Sequence, residues 1–219
     1  MVSADDSAML DAQRDHWELV LSANVDLFGL DPSESAVAAA TGFEEADAVD
    51  LLELGAGQGR DTLYLAAAGF SVTALDYTET SFRTIGTKAA EQGASVVCVR
   101  HDVRGSLPFP DGSFDVCYSH MLFCMALTTG QLEALAAEVR RVLRPGGLVT
   151  YTARTTDDAH HGTGIYRGDD MYEHGGFIVH FFDQELIERL SVGYKIVDRF
   201  NFEEAGLPRR LVSVTMRRP

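Results

Sequence analysis

Three glycines between a short apolar strand and a helix form the segment of this sequence with the clearest chemical use. Gly55, Gly57 and Gly59 follow an apolar run and precede a segment of helical composition at 60–68. Such a turn lets backbone N–H groups approach a ligand, because glycine has no side chain to hold the ligand away. Asp76 ends the next strand-like run, at about the 20-residue distance where an acid meets ribose hydroxyls in such folds. The pattern predicts a site for a nucleoside-bearing cofactor.

The residues around this turn discriminate between cofactors. The dinucleotide fingerprint has a third glycine or alanine three positions after its second glycine, and this chain has Arg60 there. Glu53 and Asp61 flank the turn with negative charge, which disfavours a pyrophosphate at the helix N-terminus. A cationic ligand with an amino-acid head suits this charge, and Asp61 can approach its ammonium group. The sequence therefore favours S-adenosylmethionine and keeps an NAD-linked oxidoreductase only as a weaker alternative.

Composition limits the classes of protein that fit. The 219 residues, 46% hydrophobic and 23% charged, suit one α/β domain with a full core. A formal charge of −15 argues against nucleic acid and anionic membrane surfaces as partners. No apolar stretch approaches the ~20 residues of a membrane span, and the acidic first residues do not suit a signal peptide. Three cysteines without CxxC spacing indicate reduced thiols in a cytoplasmic protein.

Hydrophobic periodicity predicts alternating strands and helices after a helical N-terminal cap at 1–45. The domain proper is expected at 46–219, with a lid-like, glycine-rich insertion at about 152–182. The predicted elements of the domain, in chain order, are strand 49–54, helix 60–68, strand 71–76, helix 79–91, strand 95–100, strand 114–119, helix 129–143, strand 147–153, helix 183–190 and strands 193–202 and 209–217. Alternation of this kind is typical of a doubly wound α/β sheet.

Four blocks in chain order, ELGAGQGRD, VTALDYTETS, VRHDVRGSLPFPDGSFDVCYSH and LRPGGLVTYT, carry a resemblance to a known family. The chain resembles the class I S-adenosylmethionine-dependent methyltransferases, most closely the small single-domain kind that includes methyltransferase type 11 and tellurite-resistance-type proteins. The resemblance implies a seven-stranded, mostly parallel, Rossmann-like sheet with an antiparallel C-terminal strand. It also implies S-adenosylmethionine as cofactor and S-adenosylhomocysteine as product.

The resemblance also implies roles for individual residues. The three glycines would form the turn under the methionine part of the cofactor, with Glu53 beneath it, and Asp76 would bind the ribose hydroxyls. Tyr77 would pack on the adenine, and Asp102 with the backbone of Val103 would face the adenine amino group. Ser119 and His120 would lie beside the methyl group. Trp17 would close over the cofactor from the N-terminal helix. The alternatives are a turn-forming role for Asp102, a helix-entry role for Tyr77 and a core role for Trp17.

Candidate acceptor residues follow the ends of the central strands, because ligands of open α/β sheets bind at the carboxyl ends of the strands. His120 is the first choice for a general base, with His180 and Tyr166 next, and Arg154 can clamp an anionic acceptor. Each has a structural alternative: His120 capping a strand, Arg154 pairing with Asp157 or Asp158, and His180 packing in the core. The four histidines of 152–182 match no zinc spacing, so no metal site is predicted.

The leading hypothesis is a methyltransferase that acts on a small-molecule acceptor, as a monomer or homodimer, without nucleic acid or membrane as partner. The alternative is a protein that binds S-adenosylmethionine to regulate, or to assist a rearrangement without methyl transfer. The acceptor atom is left open by the sequence among oxygen, nitrogen, sulfur, carbon and a metalloid.

Overall fold

The computed structural model describes residues 4–204 and 209–219, with side chains given for residue 8 and from residue 11 onward in the first helix. Within these residues the chain forms six helices and ten strands. They are α1 (Ala4–Ala23), α2 (Glu34–Glu44), β1 (Asp50–Leu54), α3 (Arg60–Ala67), β2 (Ser71–Asp76), α4 (Glu79–Gln92), β3 (Val96–Arg100), β4 (Phe114–His120), α5 (Thr129–Val142), β5 (Leu143–Arg154), β6 (Ile165–Tyr166), β7 (Met171–His174), β8 (Phe177–His180), α6 (Gln184–Leu190), β9 (Lys195–Glu203) and β10 (Arg210–Arg217). Residues 1–3 of the predicted cap lie outside the described residues.

Seven strands form one sheet in the order β3-β2-β1-β4-β5-β10-β9. The pairs among β1 to β5 are parallel, and β10 runs antiparallel to both β5 and β9. The order reverses between β1 and β4, which is the topological switch point where such sheets bind ligands. The predicted doubly wound, mostly parallel sheet with an antiparallel C-terminal strand is confirmed.

Helices cover both faces of this sheet, and alternate residues of each strand decide which helices they meet. Leu51 of β1 packs in a cluster with α2 and α3, whereas Leu52 faces α5 and α6. Both leucines are fully buried, as expected for a parallel strand covered on its two sides. The core is therefore split by the sheet into two layers, and the carboxyl ends of the strands emerge together at one edge.

Helix α5 shows how local sequence sets an element boundary. The Thr128 side chain accepts the backbone N–H of Gln131 at 3.3 Å, and the Gln131 side chain accepts the backbone N–H of Thr128 at 2.8 Å. This capping box satisfies two of the N–H groups that a helix start leaves free. The buried stripe follows the predicted spacing: Leu132, Leu135, Val139 and Val142.

The segment at 152–182 differs from the loop that its glycines predict. Its first residues extend β5 to Arg154, and β6, β7 and β8 form a separate antiparallel sheet. The β7–β8 turn is made by Gly175 and Gly176, both with positive φ (58° and 85°). Two consecutive residues with positive φ favour the tight turn of a β-hairpin. The Gly-Gly pair between two short strand-like runs was therefore the signal for this hairpin, which the prediction of a lid-like insertion did not use.

Among the helices that the structure describes, none has the length and apolar composition needed to cross a bilayer.

Candidate cofactor and acceptor site

The glycine turn adopts a backbone that other residues avoid. Gly55, Gly57 and Gly59 have φ values of 75°, 52° and 84°, in the left-handed region. Two of them also lie against neighbouring side chains. A Cβ on Gly55 would lie 2.9 Å from Leu122 Cβ, and one on Gly59 would lie 2.6 Å from Ile85 Cγ1. The turn therefore needs glycine both for its dihedral angles and for its packing.

Asp76 lies beside this turn at the carboxyl end of β2. Its Oδ2 accepts the backbone N–H of Gly57 at 2.9 Å. Its Oδ1 accepts the N–H and the hydroxyl of Thr78, at 2.9 and 2.8 Å. The carboxylate is thus oriented from two sides and is close to the turn, as the ribose role requires. Tyr77 follows it, and burial, then the neighbouring Asp76 charge, raises the pKa of the phenol.

Glu53 is buried under the turn. Its Oε2 accepts the Thr62 hydroxyl at 2.5 Å. Burial, followed by the nearby Asp61 carboxylate, raises the pKa of Glu53 to about 8. Asp61 is itself engaged, since it accepts the backbone N–H and the hydroxyl of Ser33 at 2.8 and 2.7 Å and the Tyr118 hydroxyl at 3.1 Å. The sequence suggested that Asp61 contacts an ammonium group of the cofactor. In the structure, Ser33 and Tyr118 already occupy this carboxylate.

Asp102 is held by an arginine rather than left free. Arg104 Nε donates to both carboxylate oxygens at 3.0 Å, and the Arg104 backbone N–H donates to Oδ1 at 3.0 Å. Burial alone would raise the pKa of Asp102, but the Arg104 hydrogen bonds outweigh it and lower the pKa. Arg104 Nη2 also donates to Asp11 of α1 at 2.7 Å. Asp102 therefore forms the turn that the alternative predicted, and it also links that turn to α1.

A cleft at the switch point brings six of the predicted cofactor residues together. Its lining residues are Trp17, Gly55, Asp76, Tyr77, Asp102 and Val103, joined by Gln13, Leu75, His101, Arg104, Leu122, Met125, Ala126 and Leu127. It encloses about 50 Å³, well below the ~300–1,000 Å³ of typical ligand pockets. The cleft as described is too small for a nucleoside, and part of its wall is the segment 122–127. The apolar residues of that segment were missed because they lie in no motif.

A larger cavity, of about 760 Å³, lies at the other edge of the sheet, between α2 and the amino ends of β4 and β5. None of the predicted site residues lines it. Ligands of open α/β sheets bind at the carboxyl ends of the strands, so we place the cofactor site in the smaller cleft.

Helix α1 and the small sheet form one cover over this edge. Gln13 Nε2 donates to the Gly176 carbonyl at 2.9 Å, and the Ile178 N–H donates to Gln13 Oε1 at 3.1 Å. Trp17 packs on Phe177, with ring centroids 4.6 Å apart. Trp17 therefore both lines the cleft and joins the cap to the insertion. Gln13 gave no signal in the sequence, because its partners lie more than 160 positions away.

The end of β4 carries Ser119 and His120. Ser119 is fully buried, and its hydroxyl donates to the Leu54 carbonyl at 3.2 Å. His120 Nδ1 lies 2.9 Å from Thr152 Oγ1, and His120 Nε2 lies 3.4 Å from Glu204 Oε1. Of the two ring nitrogens, only Nε2 points away from the buried strand β5. His120 thus lies at the predicted edge, at the end of β4, with its two ring nitrogens facing Thr152 and Glu204, and it does not line the cleft.

Arg154 is occupied by Asp158, one of the two partners that the sequence offered. Nε of Arg154 donates to Asp158 Oδ2 at 3.1 Å, and its Nη2 donates to Oδ1. The guanidinium also lies over the Phe181 ring, 5.2 Å from its centroid. Both charged side chains are buried. The structure thus gives Arg154 a role in an internal ion pair.

The other two catalytic candidates lie elsewhere. His180 is 1% exposed, and its Nδ1–H donates to the Leu127 carbonyl at 2.7 Å. Burial lowers the pKa of this ring, which is the core role that the alternative predicted. Tyr166 lies on β6, is 61% exposed and packs on Tyr172. Neither side chain lines the cleft.

Within residues 4–204 and 209–219, no group of three or more His, Cys, Asp or Glu side chains is arranged to bind a metal ion.

Comparison with known proteins supports the family that the sequence predicted. Residues 51–147, less than half of the chain, match the family model described as a methyltransferase domain. Over these residues the chain is similar to the class I S-adenosylmethionine-dependent methyltransferases. An uncharacterized methyltransferase of Synechocystis sp. is 32% identical over 98 residues, which cover 45% of this chain and 43% of that relative. The match thus spans less than half the length of this curated methyltransferase.

Two solved methyltransferase structures share the fold. The N-methyltransferase NodS from Bradyrhizobium japonicum, in complex with S-adenosylhomocysteine, aligns with a TM-score of 0.71 at 16% identity, over 94% of this chain and 98% of that one. The 1,6-didemethyltoxoflavin-N1-methyltransferase of Burkholderia thailandensis aligns with a TM-score of 0.67 at 21% identity, over 98% and 86%. That structure contains its acceptor and S-adenosylhomocysteine.

The residues of the cleft fit the cofactor of this family. An oriented carboxylate at Asp76, backbone N–H groups at the glycine turn and apolar walls at Val103 and Leu122 suit a ribose, an amino-acid head and an adenine respectively. The acidic groups under the turn suit a cation better than a pyrophosphate. The carboxylate of Asp102 fits less directly, because Arg104 already neutralises it.

Proposed function

We propose that this chain transfers the methyl group of S-adenosylmethionine to a small-molecule acceptor. The observation that carries the proposal is the Asp76 carboxylate held against the glycine turn at the switch point of the sheet, with His120 ending the neighbouring strand β4. Bound there, the cofactor supplies a methyl carbon already activated by its sulfonium. The protein then needs to hold the acceptor in line, and much of the barrier reduction can come from that positioning.

On the cofactor side, we assign the binding of the ribose to Asp76 and that of the methionine part to the glycine turn with Glu53 beneath it. Tyr77 and the backbone of Val103 border the adenine. Glu53, whose burial raises its pKa to about 8, can lose its proton when a cation lies nearby, because an opposite charge favours the ionised form. Ser119, which is fully buried and donates its hydroxyl to the Leu54 carbonyl, is assigned to support of the strand end.

On the acceptor side, we assign His120 as the base. An acceptor with an N–H, O–H or S–H group must lose a proton during transfer, and histidine is suited to accept it near neutral pH. Nδ1 of His120 faces Thr152 on β5 and Nε2 faces Glu204, so an acceptor would have to displace Glu204 to give its proton to Nε2. His180 is buried in the core and Tyr166 is exposed on β6, so neither ends a strand of the seven-stranded sheet as His120 does.

Arg154 has a secondary place in the proposal. A clamp for a carboxylate needs free guanidinium donors, and Asp158 takes two of them. We therefore assign Arg154 first to holding the segment after β5, and a clamp would require Asp158 to release it.

The cover formed by α1 and the small sheet supports a small acceptor. We propose that residues 1–45 act as a cap and 152–182 as a lid, joined through Gln13 and Trp17. Such a cover excludes water from the reaction, and it leaves little room for a macromolecular acceptor. The net charge of −15 is unfavourable for nucleic acid.

The test is calorimetric titration with S-adenosylmethionine, S-adenosylhomocysteine and NAD, using the wild type, Asp76→Ala and the control Asp198→Ala on the distant strand β9. Micromolar binding of the first two ligands, lost only in Asp76→Ala, is expected. Binding of NAD alone, or equal loss in both variants, would contradict the cofactor assignment. Methyl transfer in an acceptor screen separates the enzyme from a protein that binds the cofactor for regulation or for a rearrangement.

A further inference from the structure

The glycine turn carries one side chain that the cofactor assignment leaves unused. Gln58 lies between the second and third glycines and is 4% exposed. Its Oε1 accepts the backbone N–H of Leu27 at 2.8 Å, and its Nε2 donates to the Leu21 and Asn24 carbonyls at 3.2 and 2.6 Å. Leu21 is in the last turn of α1, where carbonyl groups lack partners within the helix. One buried amide therefore joins the turn to the end of α1.

Two further contacts hold the residues that follow α1. Arg60, the first residue of α3, donates from Nη1 to the Phe28 carbonyl at 2.9 Å. Lys88 of α4 donates to Asp26 Oδ1 at 2.5 Å. Together with Gln58, these side chains fix the segment after α1 against the start of α3 and the body of α4.

The middle of α1 is attached to the loop that follows Asp76. The Glu18 carboxylate accepts the backbone N–H groups of Glu79 and Thr80 at 2.7 and 3.1 Å, and the Thr80 hydroxyl at 2.5 Å. These are the first two residues of α4, which begins three positions after Asp76. A carboxylate at a helix start satisfies free N–H groups and is stabilised by the helix dipole. Both loops of the proposed cofactor site therefore hold α1.

We infer that Gln58 and Glu18 are positioning residues, which seat α1 on the two loops of the cofactor site and thereby place Trp17 over the cleft. This inference rests on the proposed function. Gln13 and Trp17 of α1 line the cleft, so the helix that covers the site is held by the loops that bear the glycine turn and Asp76. A ligand that orders these loops also orders α1. By linkage, loss of either contact weakens the binding of that ligand.

Trp17 reports on this arrangement, because it is the only tryptophan of the chain. Quenching of its fluorescence by acrylamide measures how open it is to solvent. At saturating S-adenosylhomocysteine, Gln58→Leu is expected to leave Trp17 more strongly quenched than in the wild type. The dissociation constant of this ligand should rise about tenfold, as for the net loss of about one hydrogen bond. Gln131→Leu is the matched control, because Gln131 also binds the backbone through its side-chain amide, at the start of α5. It should change neither quantity.

A second pair of variants protects the test against misfolding of Gln58→Leu. The Glu18 side chain is 34% exposed, so Glu18→Ala opens no cavity in the core. It should change the quenching of Trp17 and the dissociation constant in the same direction. Asp15→Ala is its control on α1, because the Asp15 carboxylate is exposed and pairs with the neighbouring Arg14. It should behave as the wild type.

Wild-type quenching of Trp17 in both Gln58→Leu and Glu18→Ala would overturn the inference, and so would an equal change in the two controls. Calorimetry with S-adenosylhomocysteine keeps the two proposals apart. A wild type that does not bind would contradict the proposed function, and quenching of the unliganded variants would then test the seating of α1 by itself. A wild type that binds, with variants that match it, would contradict only the roles of Gln58 and Glu18.

Discussion

The cofactor side and the acceptor side of the site are built differently. On the cofactor side, the glycine turn and Asp76 are at most 21 residues apart, and short-range contacts within one β-α-β unit orient them. On the acceptor side, His120 lies between Thr152 and Glu204, 32 and 84 positions away, whereas Arg154 pairs with Asp158 four residues on and lies over the Phe181 ring. The glycine turn and Asp76 are thus positioned by contacts within one β-α-β unit. The surroundings of His120 depend instead on contacts between distant parts of the chain.

The largest loss of stability is expected from replacing Asp158 on the acceptor side. Asp158→Asn leaves Arg154 as an unpaired buried cation, and removing one partner of a buried pair costs about 3–5 kcal/mol. Asp157→Asn, at the exposed neighbouring position, should change stability little. Urea unfolding of both variants measures the difference, and two equally small losses would show that the pair contributes nothing beyond a surface contact.

A slightly smaller effect is expected from Gly59→Ala on the cofactor side. The left-handed backbone costs about 1–2 kcal/mol for a residue with a Cβ, and the contact with Ile85 adds about 1–3 kcal/mol of overpacking. Gly57→Ala has the same sign of φ but no atom within 4 Å of the new Cβ, so it should show only the backbone cost. Chemical denaturation distinguishes the two, and equal losses would contradict the packing role of Gly59.

Replacing Asp76 and replacing Asp102 should lower the affinity for S-adenosylmethionine to different extents. Asp76→Ala removes a carboxylate that we assign to the ribose, and hydrogen bonds to a charged group contribute about 1.5–3 kcal/mol, so affinity for S-adenosylmethionine should fall by about 10- to 100-fold. Asp102→Ala should cost less, because Arg104 already neutralises that carboxylate. Calorimetry compares them, and a larger loss in Asp102→Ala would reverse the assignment.

The smallest effect, taken over one pH unit, concerns the pH dependence of stability. Burial raises the pKa of Glu53 from its usual 4.5 to about 8 in the folded protein, so the folded state keeps a proton that the unfolded state has lost. The contribution of Glu53 to stability should therefore be fully present below about pH 4.5 and fall as pH rises toward 8, by at most about 1.4 kcal/mol per pH unit. Glu53→Gln should flatten the curve of unfolding free energy against pH over this range. An unchanged slope would mean that Glu53 is ionised in the folded protein.

Much of the molecule was determined by the sequence itself. The glycine turn, the strand at Ser71–Asp76, the capping box of α5 and the alternation of elements all follow from neighbouring residues, because dihedral preferences, caps and hydrophobic periodicity act over a few positions. They were enough to predict the sheet, the resemblance to methyltransferases and six of the residues that line the cleft.

The tertiary structure decided which partner each of these polar side chains meets. Asp158 rather than Asp157 pairs with Arg154, His180 turns into the core, and Glu204 meets His120 from 84 positions away. The contacts of His180 and His120 depend on where the fold brings distant segments together, whereas Arg154 and Asp158 are four residues apart and the turn between them decides which aspartate meets the arginine. Burial then sets the strength of each charge, which is why the sequence could name the residues of the acceptor side but only the packed structure could show their partners.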